Sequence, residues 1–108
     1  MANTGVRLKP EAVRSIAFGV IPAAYAPLGP PVARVLNEMT LMNETNAAIL
    51  VSLDGVTDHF RISPSTARTL DLKTNDGLIE EGQQFYVKYD TAPSGPPSSK
   101  FAIETLTR

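Results

Sequence analysis

Cysteine is missing from this chain, which removes a disulfide framework, a thiolate metal site and a cysteine nucleophile together. Tryptophan is missing too, and histidine occurs once, as His59, so transition-metal binding has too few ligands of the usual kind. Neither sign of charge is in excess. Ten Lys and Arg against eleven Asp and Glu give a formal net charge of −1, far from the basic surplus of a phosphate-binding surface, so nucleic acid is not an expected partner. Long hydrophobic runs are also lacking. The longest apolar stretch, residues 16–28, is broken by Gly19, Pro22 and Pro27. No basic segment followed by an apolar one and a cleavage site opens the chain, so neither a signal peptide nor a membrane span is expected.

What is present is a core's worth of apolar residues arranged for strands. At 108 residues and 43% apolar content, one domain can form without disulfides or a metal. Residues 47–62 set the pattern: Ala47, Ile49, Val51 and Leu53 recur at period two, Asp54-Gly55 supplies a turn, and Phe60 and Ile62 resume the alternation against His59 and Arg61. That is a β-hairpin. Short strands follow it, with turn signals at Asn75-Asp76-Gly77 and Glu80-Glu81-Gly82 between them. The spacing predicts an all-β fold, a small antiparallel sandwich or barrel of about seven strands at 15–20, 35–43, 47–53, 57–63, 68–72, 84–89 and 100–106. The expected core is Ile16, Phe18, Ile49, Val51, Leu53, Phe60, Ile62, Leu70, Leu72, Phe85, Val87, Phe101 and Ile103. Residues 32–43 fit helical spacing as well as a strand; the short polar link at 43–46 favours a strand turning back in a hairpin-like way.

Eight of the nine prolines fall in residues 1–11, 21–31 and 90–99. These segments add little to the expected core and are expected to order only in an assembly. Residues 1–12 read as an extended arm, or alternatively an edge strand, ahead of a sandwich domain at 13–108. Residues 21–31 read as a long irregular loop with Tyr25 and Leu28 near its tip, of a kind that often marks a binding surface, although the burial preference of a large aromatic favours Tyr25 folding back onto the sandwich edge. The candidate protein-contact residues are therefore Val6, Leu8, Tyr25 and Leu28.

Chemistry is sparse. His59 beside Asp58 takes an outward-facing position on a strand and reads as a solvated residue rather than a catalytic one. Asp54, Asp58, Asp71 and Asp76 match no calcium loop and serve better as turn formers. Glu80 and Glu81 are adjacent in a turn rather than opposed across a cleft. No nucleophile elbow and no phosphate-cradling glycine loop occurs. An enzyme is the weakest class, and no catalytic residue, cofactor or metal is expected.

The order SIAFG at 15–19, Tyr25 with Leu28-Gly29, an arginine and the Asn-x-Thr-Asn turn at 43–46, then VSLDGVTDHF, LDL, GQQFYVKY and a Pro-Ser-Gly loop, resembles small virion proteins of tailed bacteriophages. The resemblance implies a β-sandwich module with a structural role in head-to-tail or tail assembly, located in the virion and assembled in the host cytoplasm. It implies partners among copies of itself and other virion proteins (portal, tail or capsid), with no cofactor and no membrane. It carries no contact residues. A capsid decoration protein is the alternative within this class. A receptor- or carbohydrate-binding sandwich, using Tyr25 and Tyr86 as aromatic platforms, is the alternative outside it.

The Asp54-Gly55 reversal yields a direct test. A β-branched side chain is strained at positive φ, so Gly55→Val should lower stability by about 1–2 kcal/mol; an unchanged melting temperature would mean that the turn is misplaced.

Overall fold

Alternation at period two needs a core on one side of each strand, and the chain meets that need by closing two sheets on each other. The computed structural model describes residues 9–71, 79–94 and 99–107. The described residues form nine strands: β1 (Lys9–Pro10), β2 (Arg14–Ala17), β3 (Ala26–Pro27), β4 (Leu36–Asn43), β5 (Ile49–Ser52), β6 (Phe60–Ile62), β7 (Thr66–Asp71), β8 (Tyr86–Tyr89) and β9 (Lys100–Thr107). One sheet runs β1-β9-β4-β7, with β2 pairing the same edge of β9 as β1; the other runs β3-β8-β5-β6. Every pairing is antiparallel. The protein is an all-β sandwich, as its alternation predicts.

The central hairpin is present, with Ile49 opposite Ile62 and Val51 opposite Phe60. Gly55 lies at φ +80°, but the reversal is a seven-residue loop, 53–59, rather than a two-residue turn. Asp54 shapes it: the carboxylate accepts the backbone N–H groups of Val56 and Thr57. A second expectation is corrected at 43–46. β4 and β5 belong to different sheets, so this link is a corner between layers and not a hairpin turn.

β4 settles the ambiguity of residues 32–43 in favour of a strand, and its register explains why the sequence also looked helical. Leu36 pairs with Thr107 and Glu38 with Leu106, so Asn37 is an extra residue inserted as a bulge. The bulge shifts the phase, and Leu36 and Met39 face the core at a spacing of three. Asn37 itself is buried, with no hydrogen-bond partner for Nδ2.

Among the expected core residues, Ile49, Val51, Ile62, Phe85, Val87, Phe101 and Ile103 are fully buried, and Ile16, Leu53, Phe60 and Leu70 pack against them partly exposed. Leu72 and the Asn75-Asp76-Gly77 turn lie outside the described residues. Phe18 is a correction. The first strand stops at Ala17, and Phe18–Val20 forms a 3-10 turn that leaves Phe18 half-buried and Val20 66% exposed.

The proline-rich loop contributes more than its composition suggests. Ile21, Leu28 and Val32 join the core with Leu36, Met39, Leu41 and Ile79. Proline's fixed φ suits an edge strand, where no outward N–H is needed, and β3 pairs Ala26 with Val87 and Pro27 with Tyr86. Leu28 N–H donates to Phe85 O, and Tyr89 N–H to Pro22 O. The 21–31 segment is thus built into the monomer rather than awaiting an assembly. Ser94 is likewise tied, exchanging two hydrogen bonds with the Asn46 side chain.

Phe85 and Phe18 now separate. Phe85→Ala should cost about 3–5 kcal/mol and Phe18→Ala about 1 kcal/mol or less in denaturant titrations; equal losses would place Phe18 in the core after all.

Candidate functional site

Two polar constellations stand out against the apolar interior, and neither depends on a metal ligand set. The first is at the rim of the β1-β9-β4-β7 sheet. Arg14 occupies an inward position of β2, directly opposite Ile103, and is 3% exposed. A buried guanidinium must be paired and hydrogen-bonded, and here every arm has a partner. Nε donates to Pro30 O at 3.0 Å, Nη1 to Thr105 Oγ1 at 3.0 Å, and Nη2 to Glu11 Oε1 at 3.1 Å. The Thr105 hydroxyl donates in turn to Glu11 Oε1 at 2.9 Å, while Glu11 Oε2 accepts the Ala33 N–H at 2.9 Å. The guanidinium also lies 5.4 Å from the Phe85 ring centroid.

Glycine at position 29 makes room for this seat. Its φ is +70°, and a Cβ there would come within 2.6 Å of Arg14 Cγ. Burial alone would raise the Glu11 pKa, but the Ala33 N–H, the Thr105 hydroxyl and the Arg14 guanidinium outweigh it and hold the carboxyl below its ordinary value.

The second constellation covers the outer face of the β3-β8-β5-β6 sheet. The 53–59 loop folds back over it, bringing Gly55 close enough to Tyr86 that a Cβ there would meet the ring at 3.5 Å. Tyr25 donates to Asp58 Oδ1 at 2.5 Å, Lys88 Nζ lies 3.6 Å from the same oxygen, and that ammonium sits 4.7 Å from the Tyr25 ring centroid. Burial and the Asp58 bond push the Tyr25 phenol well above its ordinary value. Within the loop, the Thr57 and Val56 N–H groups and the Ser52 hydroxyl hold Asp54 below the usual carboxylate range. Lys88 therefore covers one face of the Tyr25 ring and the 53–59 loop approaches Tyr86, which weakens the reading of Tyr25 and Tyr86 as open sugar platforms.

The sequence-derived contact residues part company. Val6 and Leu8 lie outside the described residues. Leu28 is not at an exposed loop tip but 3% exposed in the core, and Tyr25 is half-buried against the sheet edge through Asp58 and Lys88. His59 is exposed, and Nδ1 accepts the Leu53 N–H at 3.0 Å. Among the described residues no three of His, Cys, Asp and Glu group as a metal site, and no helix is long and apolar enough to cross a membrane.

Arg14 and Glu11 were the residues to find. The signal for Arg14 was its place in the alternation with Ile16, which puts a charge on the inward face, with a carboxylate three residues earlier. Comparison with known protein families, with curated proteins and with solved structures gives no match.

The Glu11 shift fixes a pH dependence. A carboxyl whose folded pKa is depressed stabilises the fold fully above its ordinary value of 4.5 and loses that contribution as pH falls through the folded value. Glu11→Gln should cost on the order of 2 kcal/mol near neutrality and flatten the acid limb of stability against pH. Asp54, shifted in the same direction, should leave a shallower slope behind. An unchanged acid limb would remove Glu11 from the account.

Proposed function

We infer that this chain is a non-enzymatic structural component of a tailed-phage virion, acting through subunit contacts in head-to-tail or tail assembly. The resemblance in the order of its motifs suggests the virion. The observation that supports a role in subunit contacts is the position of the N-terminal segment: the backbone ladder of Lys9–Pro10 and Arg14–Ala17 lies at the rim of one sheet, along β9. Of the 1–12 arm, the described residues Lys9 to Glu11 lie along β9 as an edge strand. The opposite rim is β7, whose ladder partner among the described residues is β4 alone. Sheet rims of this kind are where strands are added by neighbours. Arg68, in β7, puts a charge on that rim, a common guard against indiscriminate pairing.

On this reading the partners are copies of the chain and other virion proteins, and the protein resides in the particle. An antibody raised against the purified chain should decorate density-banded phage particles at a fixed location in electron micrographs. Neck or tail labelling fits the assembly reading; uniform labelling of the capsid surface would move the protein to the decoration class. A chain found only in the soluble lysate and never in banded particles would overturn the virion reading.

A further inference from the structure

We propose that the β1–β2 segment is exchanged between copies, each protomer laying its residues 9–17 along β9 of a neighbour. This rests on the assembly reading and names the contact through which copies join.

Three observations carry it. First, the backbone ladder of the segment runs along one strand: β1 places Lys9 opposite Thr107, and β2 places Arg14 to Ala17 opposite Ile103 to Lys100, with further ties to the body through the side-chain contacts of Arg14 and Glu11. Ile16 is the one hydrophobic residue of the segment that packs against the core, so little apolar burial ties it to its own protomer. Second, the segment ends in a natural hinge. Phe18–Val20 is a 3-10 turn with no side-chain cap at Ala17, Val20 is 66% exposed, and Phe18 stands outside the core cluster. Ile21 returns to the core and Pro22 O accepts the Tyr89 N–H, so the hinge is Phe18–Val20, which at about 3.3 Å per residue spans a boundary between two closely packed copies.

The third observation is electrostatic. Arg14 and Glu11 form their ion pair within the segment itself, so both charges travel together. What remains behind on the body is neutral: the Thr105 hydroxyl, the Pro30 carbonyl and the Ala33 N–H. Release therefore strands no buried charge, which is the usual heavy penalty for separating such a pair. Any arriving copy must bring the same pair in the same register to satisfy those three groups. Exchange of an identical element re-forms every native contact, so its cost lies in the hinge and in association alone.

The chain has no cysteine, which makes a clean crosslink test possible. Phe18 N–H donates to Ser99 O, and by the alternation of antiparallel ladders Ala17 and Lys100 form a close, non-hydrogen-bonded pair of the separation a disulfide accepts. The Ala17→Cys/Lys100→Cys protein is assembled under reducing conditions, its mass is followed by light scattering, and it is then oxidised and run in denaturant without reductant. Bands at twice the chain mass or higher in the assembled fraction are expected. Assembled material whose crosslinks all lie within single chains would overturn the exchange while leaving the assembly reading standing. A protein that stays monomeric at every accessible concentration would overturn both the exchange and self-assembly. Ser15→Cys/Ala102→Cys, two residues along the same ladder, repeats the test where the first pair disturbs folding, and wild-type melting in reductant shows which pair to use.

Discussion

The sandwich depends on the side chain of Asn43, where the chain leaves one sheet for the other. It is 1% exposed, and its Nδ2 donates to Ala47 O at 2.8 Å and to Ile62 O at 2.9 Å while Oδ1 accepts the Thr45 N–H at 2.9 Å. One amide thus binds the last residue of β4 to the approach of β5 and to the end of β6. The corner would otherwise bury several backbone groups without partners, each an appreciable loss. Thr45 adds its hydroxyl to Asn43 Oδ1 at 2.7 Å, and its Oγ1 takes the Ala47 N–H at 3.3 Å. With the corner closed, β4 sits between β9 and β7 in one layer and β5 between β8 and β6 in the other. The inward rows Met39 and Leu41, and Ile49 and Val51, then face a common core.

The Glu11–Arg14 pair is a device of a different kind. Removing two ions from water offsets most of their attraction, so such a pair contributes modestly to net stability while defining position. Slipping β2 by one residue on β9 would turn Arg14 outward and bring Ser15 to the seat. The Gly29 conformation, the Pro30 carbonyl and the Thr105 hydroxyl fit only the guanidinium. The proline-rich loop, β2 and β9 are held in one register by a single side chain.

Strand alternation was legible because it is local. Ile49 to Val51, Phe85 to Val87 and Phe101 to Ile103 each carry their period within a few residues, and the structure buries them as that period requires. Leu28 and Val32 were not legible, since proline content marks a segment as irregular without saying whether its apolar side chains turn inward. The Asn37 bulge hid the phase of β4 by adding one residue to the count. The 43–46 turn was correctly polar, but whether a turn returns the chain to the same sheet or sends it to the next is decided by distant packing. Arg14 carried a readable signal in its inward phase. Its partners at 30 and 105, and the Ala33 N–H that holds Glu11, are far away in sequence, and no local pattern announces them.

The place of β9 bears on how the chain acquires this shape as it is made. β3, β5, β6 and β8 have all been synthesised by residue 89, so one layer has its full set of strands while the other still lacks its middle. In that other layer β9 stands between β4 and the β1–β2 rim, yet its residues emerge last of all the described strands. Until they do, β1 and β2 have no ladder to join, and the inner face of β4 is open on one flank. Pairing across such sequence distances is slow to form, and strands without partners are the ones most exposed to neighbouring chains. The vectorial order of synthesis therefore leaves β1 and β2 unengaged longest among the described strands.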